Sequence, residues 1–222
     1  MKSKFFTESK KYIKKFEKFE IKTIIDYAKS GDIDKIKMSL NSGVDVNTQD
    51  SVGNNALIFA SITNNIELVK LLIKHGANLN IQNNDGITPL IVACSKNSNV
   101  ETVKLLIDAG ADLNICPHNY EFTALMTATN HDCEDIVKLL IKYGADVNKN
   151  TDVGTALIIS TYGNNIEIVK LLIEAGADWN TKLNDEDFLF YLNDVNRESI
   201  INLYPEQYKE YLMKKNAEKY NL

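Results

Sequence analysis

The stretch "NNIEIVKLLIEAGADWN" (Asn164–Asn180) recurs nearly unchanged as "NNIELVKLLIKHGANLN" (Asn64–Asn80). A catalytic site needs one constellation, not two copies about a hundred residues apart; a fold built by stacking needs the copies. Sliding the chain along itself aligns "GVDVN" at Gly43, "GANLN" at Gly76, "GADLN" at Gly110, "GADVN" at Gly144 and "GADWN" at Gly176, in steps of 33, 34, 34 and 32 residues. A regular step of this size marks a solenoid, in which each unit buries its apolar face against its neighbours.

Upstream of four of these glycines lie "IELVKLLIKHG", "VETVKLLIDAG", "EDIVKLLIKYG" and "IEIVKLLIEAG", with apolar residues at helical spacing and Lys or Glu on the other side. Further upstream, "NALIFA" (Asn55), "TPLIVA" (Thr88), "TALMTA" (Thr123) and "TALIIS" (Thr155) each start a shorter helix. The Thr or Asn is placed to cap it, and Pro89 sits at the favoured first helical position. Each unit is therefore a turn followed by two antiparallel helices. The Gly after the second helix suits the left-handed conformation that ends a helix. Ala60, Ala93, Ala128 and Ser160 are small enough for close helix approach, and the paired leucines at 71–72, 105–106, 139–140 and 171–172 fill the shared core.

These units closely resemble the ankyrin repeat, whose consensus T-P-L-H-x-A they follow in part and whose period of about 33 residues they share. The resemblance implies an all-α solenoid of about five repeats with short hairpin loops and helical caps at both ends. The expected boundaries are a basic, aromatic capping helix over 1–19, repeats at about 20–47, 48–80, 81–114, 115–148 and 149–180, and a degenerate repeat with closing helices over 181–222. The chain departs from the pattern where the consensus His becomes Ile58, Ile91, Met126 and Ile158, so apolar packing has to replace that residue's hydrogen bonds. Asn64 and Asn164 replace the inter-helix Gly, which Asn tolerates better than other residues. An extra residue around Asn97–Asn99 and unequal hairpins before Thr123 and Thr155 leave the tips uneven.

The 222 residues carry a net charge of −5, which lacks the basic field that binds phosphate backbones, so nucleic acid is not an expected partner. No apolar run reaches membrane-spanning length, and no signal-peptide pattern follows the basic start. Three cysteines, Cys94, Cys116 and Cys133, suit a reducing compartment, cytoplasmic or nuclear. The richness in Asn, Ile and Lys also resembles ankyrin proteins of giant amoeba viruses and AT-rich microbial genomes, which would place the protein in a host cytoplasm. A monomer is expected.

No nucleotide, metalloprotease or nucleophile-elbow motif is present, so neither an enzyme nor a cofactor is expected. Cys116, His118, His131 and Cys133 are ligand types that zinc accepts. The repeat puts the first two on a hairpin and the last two beyond a helix about 12 Å long, so a zinc site is not expected. What remains is the surface that the resemblance implies for binding a protein partner, the hairpin tips and the concave side of the first helices. There Ile62, Ile87, Tyr120, Phe122, His131 and Tyr162 stand out, because apolar and aromatic groups not needed by the stack anchor interfaces. For Phe122 a second reading is that it folds back on its own repeat. The lysines and aromatics of Met1–Phe19 read either as a cap or as a segment docking peripherally on an anionic membrane.

Overall fold

The computed structural model describes residues 23–95, 100–117, 121–163, 165–184 and 186–220. The basic segment Met1–Phe19, Tyr120, His118, Asn164 and the Asn97–Asn99 turn lie outside the described residues. The repeats form five helix pairs: α1 (Ile24–Ser30) with α2 (Ile33–Asn41), α3 (Ala56–Ile62) with α4 (Ile66–Lys74), α5 (Pro89–Ala93) with α6 (Val100–Asp108), α7 (Ala124–Asn130) with α8 (Glu134–Lys142), and α9 (Ala156–Tyr162) with α10 (Ile166–Glu174). First helices pack in the series α1, α3, α5, α7, α9, and second helices in the series α4, α6, α8, α10. The result is two parallel layers with a continuous core between them.

Local chemistry explains where each helix starts. Asn55, Thr88, Thr123 and Thr155 accept the backbone N–H three residues on at 2.9–3.4 Å, satisfying one of the donors that a helix start leaves free. The second helices of the pairs end just before glycines such as Gly110, whose φ of +97° is costly for a residue with a Cβ. Asn64 adopts the left-handed conformation in its inter-helix turn (φ +52°), as does Asp132 in the fourth unit (φ +56°). Between the layers Leu72, Leu106, Leu140 and Leu172 are fully buried, while their neighbours Leu71, Leu105, Leu139 and Leu171 are half-buried. Ile58, Ile91, Met126 and Ile158, the residues in place of the consensus His, are buried as well.

The ending "GADxN" has a further role. Within each unit Asp45, Asn78, Asp112, Asp146 or Asp178 accepts the N–H of the residue two positions on, Asn47, Asn80, Asn114, Asn148 or Asn180, at 2.8–3.0 Å. The side-chain oxygens of Asn47, Asn80, Asn114 and Asn148 then accept the N–H of Asn78, Asp112, Asp146 and Asp178 in the next unit at 2.7–2.9 Å. A turn-forming residue and a cross-unit acceptor thus alternate along one edge of the stack. Asn114→Ala is expected to lower the unfolding free energy by about 1 kcal/mol, the usual net worth of such a bond. Asn180→Ala, with no repeat beyond it, should stay within about 0.5 kcal/mol of wild type, as surface changes generally do. Equal losses in urea unfolding would count against the ladder.

The tail continues the stack in altered form. A short antiparallel hairpin, β1 (Lys182–Leu183) and β2 (Glu186–Asp187), pairs Lys182 with Asp187 and Leu183 with Glu186. The four-residue α11 (Phe188–Tyr191) packs on α9, and α12 (Asp194–Leu203) and α13 (Pro205–Tyr220) follow. Where the other units carry Val46, Leu79, Leu113 and Val147, the last carries Trp179, which is buried edge-on against Phe188 at 5.2 Å and Tyr204 at 6.3 Å. A large ring here fills the junction between the repeats and a tail of different sequence.

Candidate functional site

The site sought is a row of side chains that the stack itself does not use. At the ends of the first helices, equivalent positions are held by Ile62, Ser95, Asn130 and Tyr162. Ile62 and Tyr162, the last residues of α3 and α9, are 50% and 54% exposed. His131, half-buried, follows α7 as its C-cap residue, beside exposed Asn130. Neighbouring helix axes lie about 8–10 Å apart, so the three steps from Ile62 to Tyr162 amount to about 25–30 Å. The two side chains belong to one face but not to one cluster.

The hairpin candidates sit differently. Ile87 and Phe122 are half-buried and packed against the core. The Ile87 N–H donates to the Asn83 side-chain oxygen at 2.9 Å, which closes its hairpin. Phe122 follows Glu121, whose left-handed φ of +59° turns the chain back toward the repeat. Tyr120 lies outside the described residues.

Tyr162 is the residue around which other aromatics gather. Its ring meets Tyr191 edge-to-face at 5.5 Å, and Tyr191 meets Phe190 in the same manner at 5.4 Å. Phe190 is 59% exposed. Edge-to-face pairs at this spacing are favourable and hold the rings in fixed relative orientation. Burial first, and then the neighbouring Tyr191 hydroxyl, raises the Tyr162 pKa, so the phenol stays neutral. The Tyr191 hydroxyl donates to the Leu183 carbonyl at 2.7 Å. Arg197 of α12 donates to the carbonyls of Leu189, Phe190 and Leu192 at 2.8, 3.2 and 2.8 Å, placing a cation on the C-terminal end of α11. These bonds fix a four-residue helix too short to hold itself and so set the angle at which Phe190 stands out. Phe190 also lines a groove of 990 Å³ in the tail, together with Leu189, Ile201, Tyr208 and Leu212.

Sequence reasoning missed Phe190 and Tyr191. The signal was "FLFY" at 188–191, four large apolar residues in a helix with room to bury only two, Phe188 and Leu189. Of the zinc-type residues, Cys116 is half-buried, with its thiol pKa pushed up by burial, and Cys133 donates its Sγ–H to the His131 carbonyl at 3.5 Å. No group of three or more His, Cys, Asp or Glu side chains suited to a metal occurs among the described residues. No described helix is long and apolar enough to cross a membrane.

A family model described as ankyrin repeats (3 copies) matches residues 24–116 and 114–183. The chain is 40% identical over 67 residues to the Escherichia coli (strain K12) protein named "Putative ankyrin repeat protein YahD", a match covering 30% of this chain and 33% of that one. It is 44% identical over 54 residues to neurogenic locus notch homolog protein 1 of Homo sapiens, covering 24% of this chain and 2% of that protein. It is 39% identical over 66 residues to ankyrin repeat, SAM and basic leucine zipper domain-containing protein 1 of Ovis aries, covering 30% and 14%. The matched stretches thus span a third or less of each of these curated relatives. Ankyrin repeats are in general protein–protein interaction modules. Paired helices in two layers, caps at the same offset in each unit and the family match over most of its length agree: the chain belongs to the ankyrin repeat family.

Proposed function

We propose that the protein is a non-enzymatic binding module that takes a protein partner along its first-helix ends and hairpin tips, with the strongest contact at the ridge of Tyr162, Tyr191 and Phe190. The observation that carries this reading is the ridge itself. Two aromatic rings, each more than half exposed, are joined through a third and held by Arg197, although the stack has no use for them. Rigid aromatics that lose little entropy on binding are the groups that dominate interface energies. Ile62 supplies a second, separate apolar contact farther along the face, with His131 between them as a polar one. The polar side chains of the helix starts and unit endings are engaged in caps and in the ladder, which supports a role in packing rather than chemistry for them.

Three free thiols support placing this module in the cytoplasm or nucleus. The membrane-docking alternative rests on Met1–Phe19, which lies outside the described residues.

A photo-crosslinking residue placed at position 162, compared with one at Met38, tests this. Met38 is 70% exposed but lies on a second helix at the other end of the stack. Crosslinking of a discrete partner at 162 and none at 38 is the expected result. Capture at 38 alone, or equally at both, would remove the ridge from the reading.

A further inference from the structure

α13 is the longest described helix, yet it is attached in an unusual way. Among its described side chains Tyr211 is the one that is buried, with Tyr208 stacked beside it at 6.0 Å. Where most repeat helices bury two or more apolar side chains, α13 is held by a polar cluster. Lys215 donates to the Asp187 carboxylate at 2.7 Å and to the Tyr211 hydroxyl at 2.8 Å, and the Tyr211 hydroxyl donates to the same carboxylate oxygen. Asp187 is buried, the one acidic residue so placed among the described residues. A second tie joins Glu218 to Lys182 of β1 at 2.8 Å. Beneath the helix lies a crevice of 290 Å³ between Ile173, Ala177 and Trp179 on one side and Gln207, Tyr211 and Lys214 on the other. A segment with so little buried apolar surface belongs to the low end of local opening energies, and a helix of this length is marginal once detached.

We propose that α13 is a lid latched by Asp187, Tyr211 and Lys215 over the Trp179 end of the stack, and that it opens as a unit while the five helix pairs remain folded. Opening uncovers the Trp179 ring and the crevice beside it. The latch depends on the charge of Asp187 as well as its shape. Burial opposes that charge, and the bonds from Lys215 and Tyr211 outweigh it, so the Asp187 pKa lies below the ordinary carboxylate range. The other groups around it are Lys182 and Glu186 on the hairpin, the Phe190 N–H of α11 and, through Lys182, Glu218. A carboxylate with a lowered pKa stabilises the closed state above its ordinary range and ceases to do so as the pH falls through the lowered value.

The chain has one tryptophan, so its fluorescence reports on the lid directly. The test compares acrylamide quenching of Trp179 in wild type, Asp187→Asn and Lys215→Met, alongside thermal unfolding followed by circular dichroism. At neutral pH both variants are expected to raise the quenching constant about threefold or more, while the main unfolding transition stays within about 2 °C, as for a local opening outside the cooperative core. Acid should raise quenching in wild type below the ordinary carboxylate range and add little in Asp187→Asn. Quenching in the variants equal to wild type would overturn the proposal. So would loss of the whole repeat transition in Asp187→Asn or Lys215→Met, which would make α13 an integral part of the stack.

Discussion

Replacing Leu106 with alanine is expected to lower the unfolding free energy by about 2–5 kcal/mol, the range for truncating a fully buried leucine in a core that cannot collapse around the gap. Leu106 is 0% exposed, and its helix α6 packs against both α4 and α8, so the cavity opens at the centre of the array and touches two interfaces. A repeat array gains its stability from these nearest-neighbour interfaces. The mutation should therefore do more than shift the midpoint of urea unfolding. The units on either side should lose cooperation, and the transition should broaden, with a lower dependence on denaturant. A loss below about 1 kcal/mol, or a shifted transition of unchanged steepness, would contradict a core continuous through α6.

The second large effect concerns binding. Once the partner is captured, Tyr162→Ala and Phe190→Ala are each expected to weaken it by about 2 kcal/mol or more, roughly thirtyfold in Kd, as truncation of a central aromatic anchor does. Both side chains are largely exposed, so neither change should shift the unfolding midpoint appreciably. Tyr162→Phe keeps the ring against Tyr191 and should bind nearly as wild type. Ile62→Ala should cost less, because Ile62 stands alone on its part of the face. Isothermal titration on the folded variants distinguishes these outcomes; an unaffected Tyr162→Ala beside a crippled Ile62→Ala would move the centre of the interface to the N-terminal half.

Much of this was legible in the sequence, because repetition turns weak local signals into strong ones. One Thr before an apolar run is a poor helix marker, but Thr88, Thr123 and Thr155 at the same offset, with Asn55, define the starts, and the structure places caps there. The same holds for the glycines and the paired leucines. Features that do not repeat were harder to read. The cross-unit bonds of Asn80 and Asn114 are invisible without knowing which N–H lies above each side chain. Ile87 reads from sequence as a free hairpin residue and Phe122 as either free or folded back on its own repeat, because the hairpin's inward fold depends on φ at Glu121 and on the Asn83 side chain, neither of which leaves a periodic trace. Phe190 and Tyr191 were hidden in a four-residue helix, and Asp187 meets Lys215 across 28 residues of tail without an internal copy for comparison. Repetition also said little about which part of the first-helix face carries aromatics, since the units differ from one another at Ile62, Ser95, Asn130 and Tyr162.

The ladder along the "GADxN" edge bears on how such a protein changes over generations. Each unit carries both halves of the fastening, an acceptor for the unit ahead and a donor for the unit behind, so a duplicated block of about 33 residues arrives with its own connections and leaves those on either side intact. Gain or loss of a whole block is thereby mild, whereas an insertion of half that length would leave two ends that do not match. The array can lengthen in its interior, and the sequence free to diverge is at the margin, where Trp179 replaces a small aliphatic residue and the repeat gives way to something else.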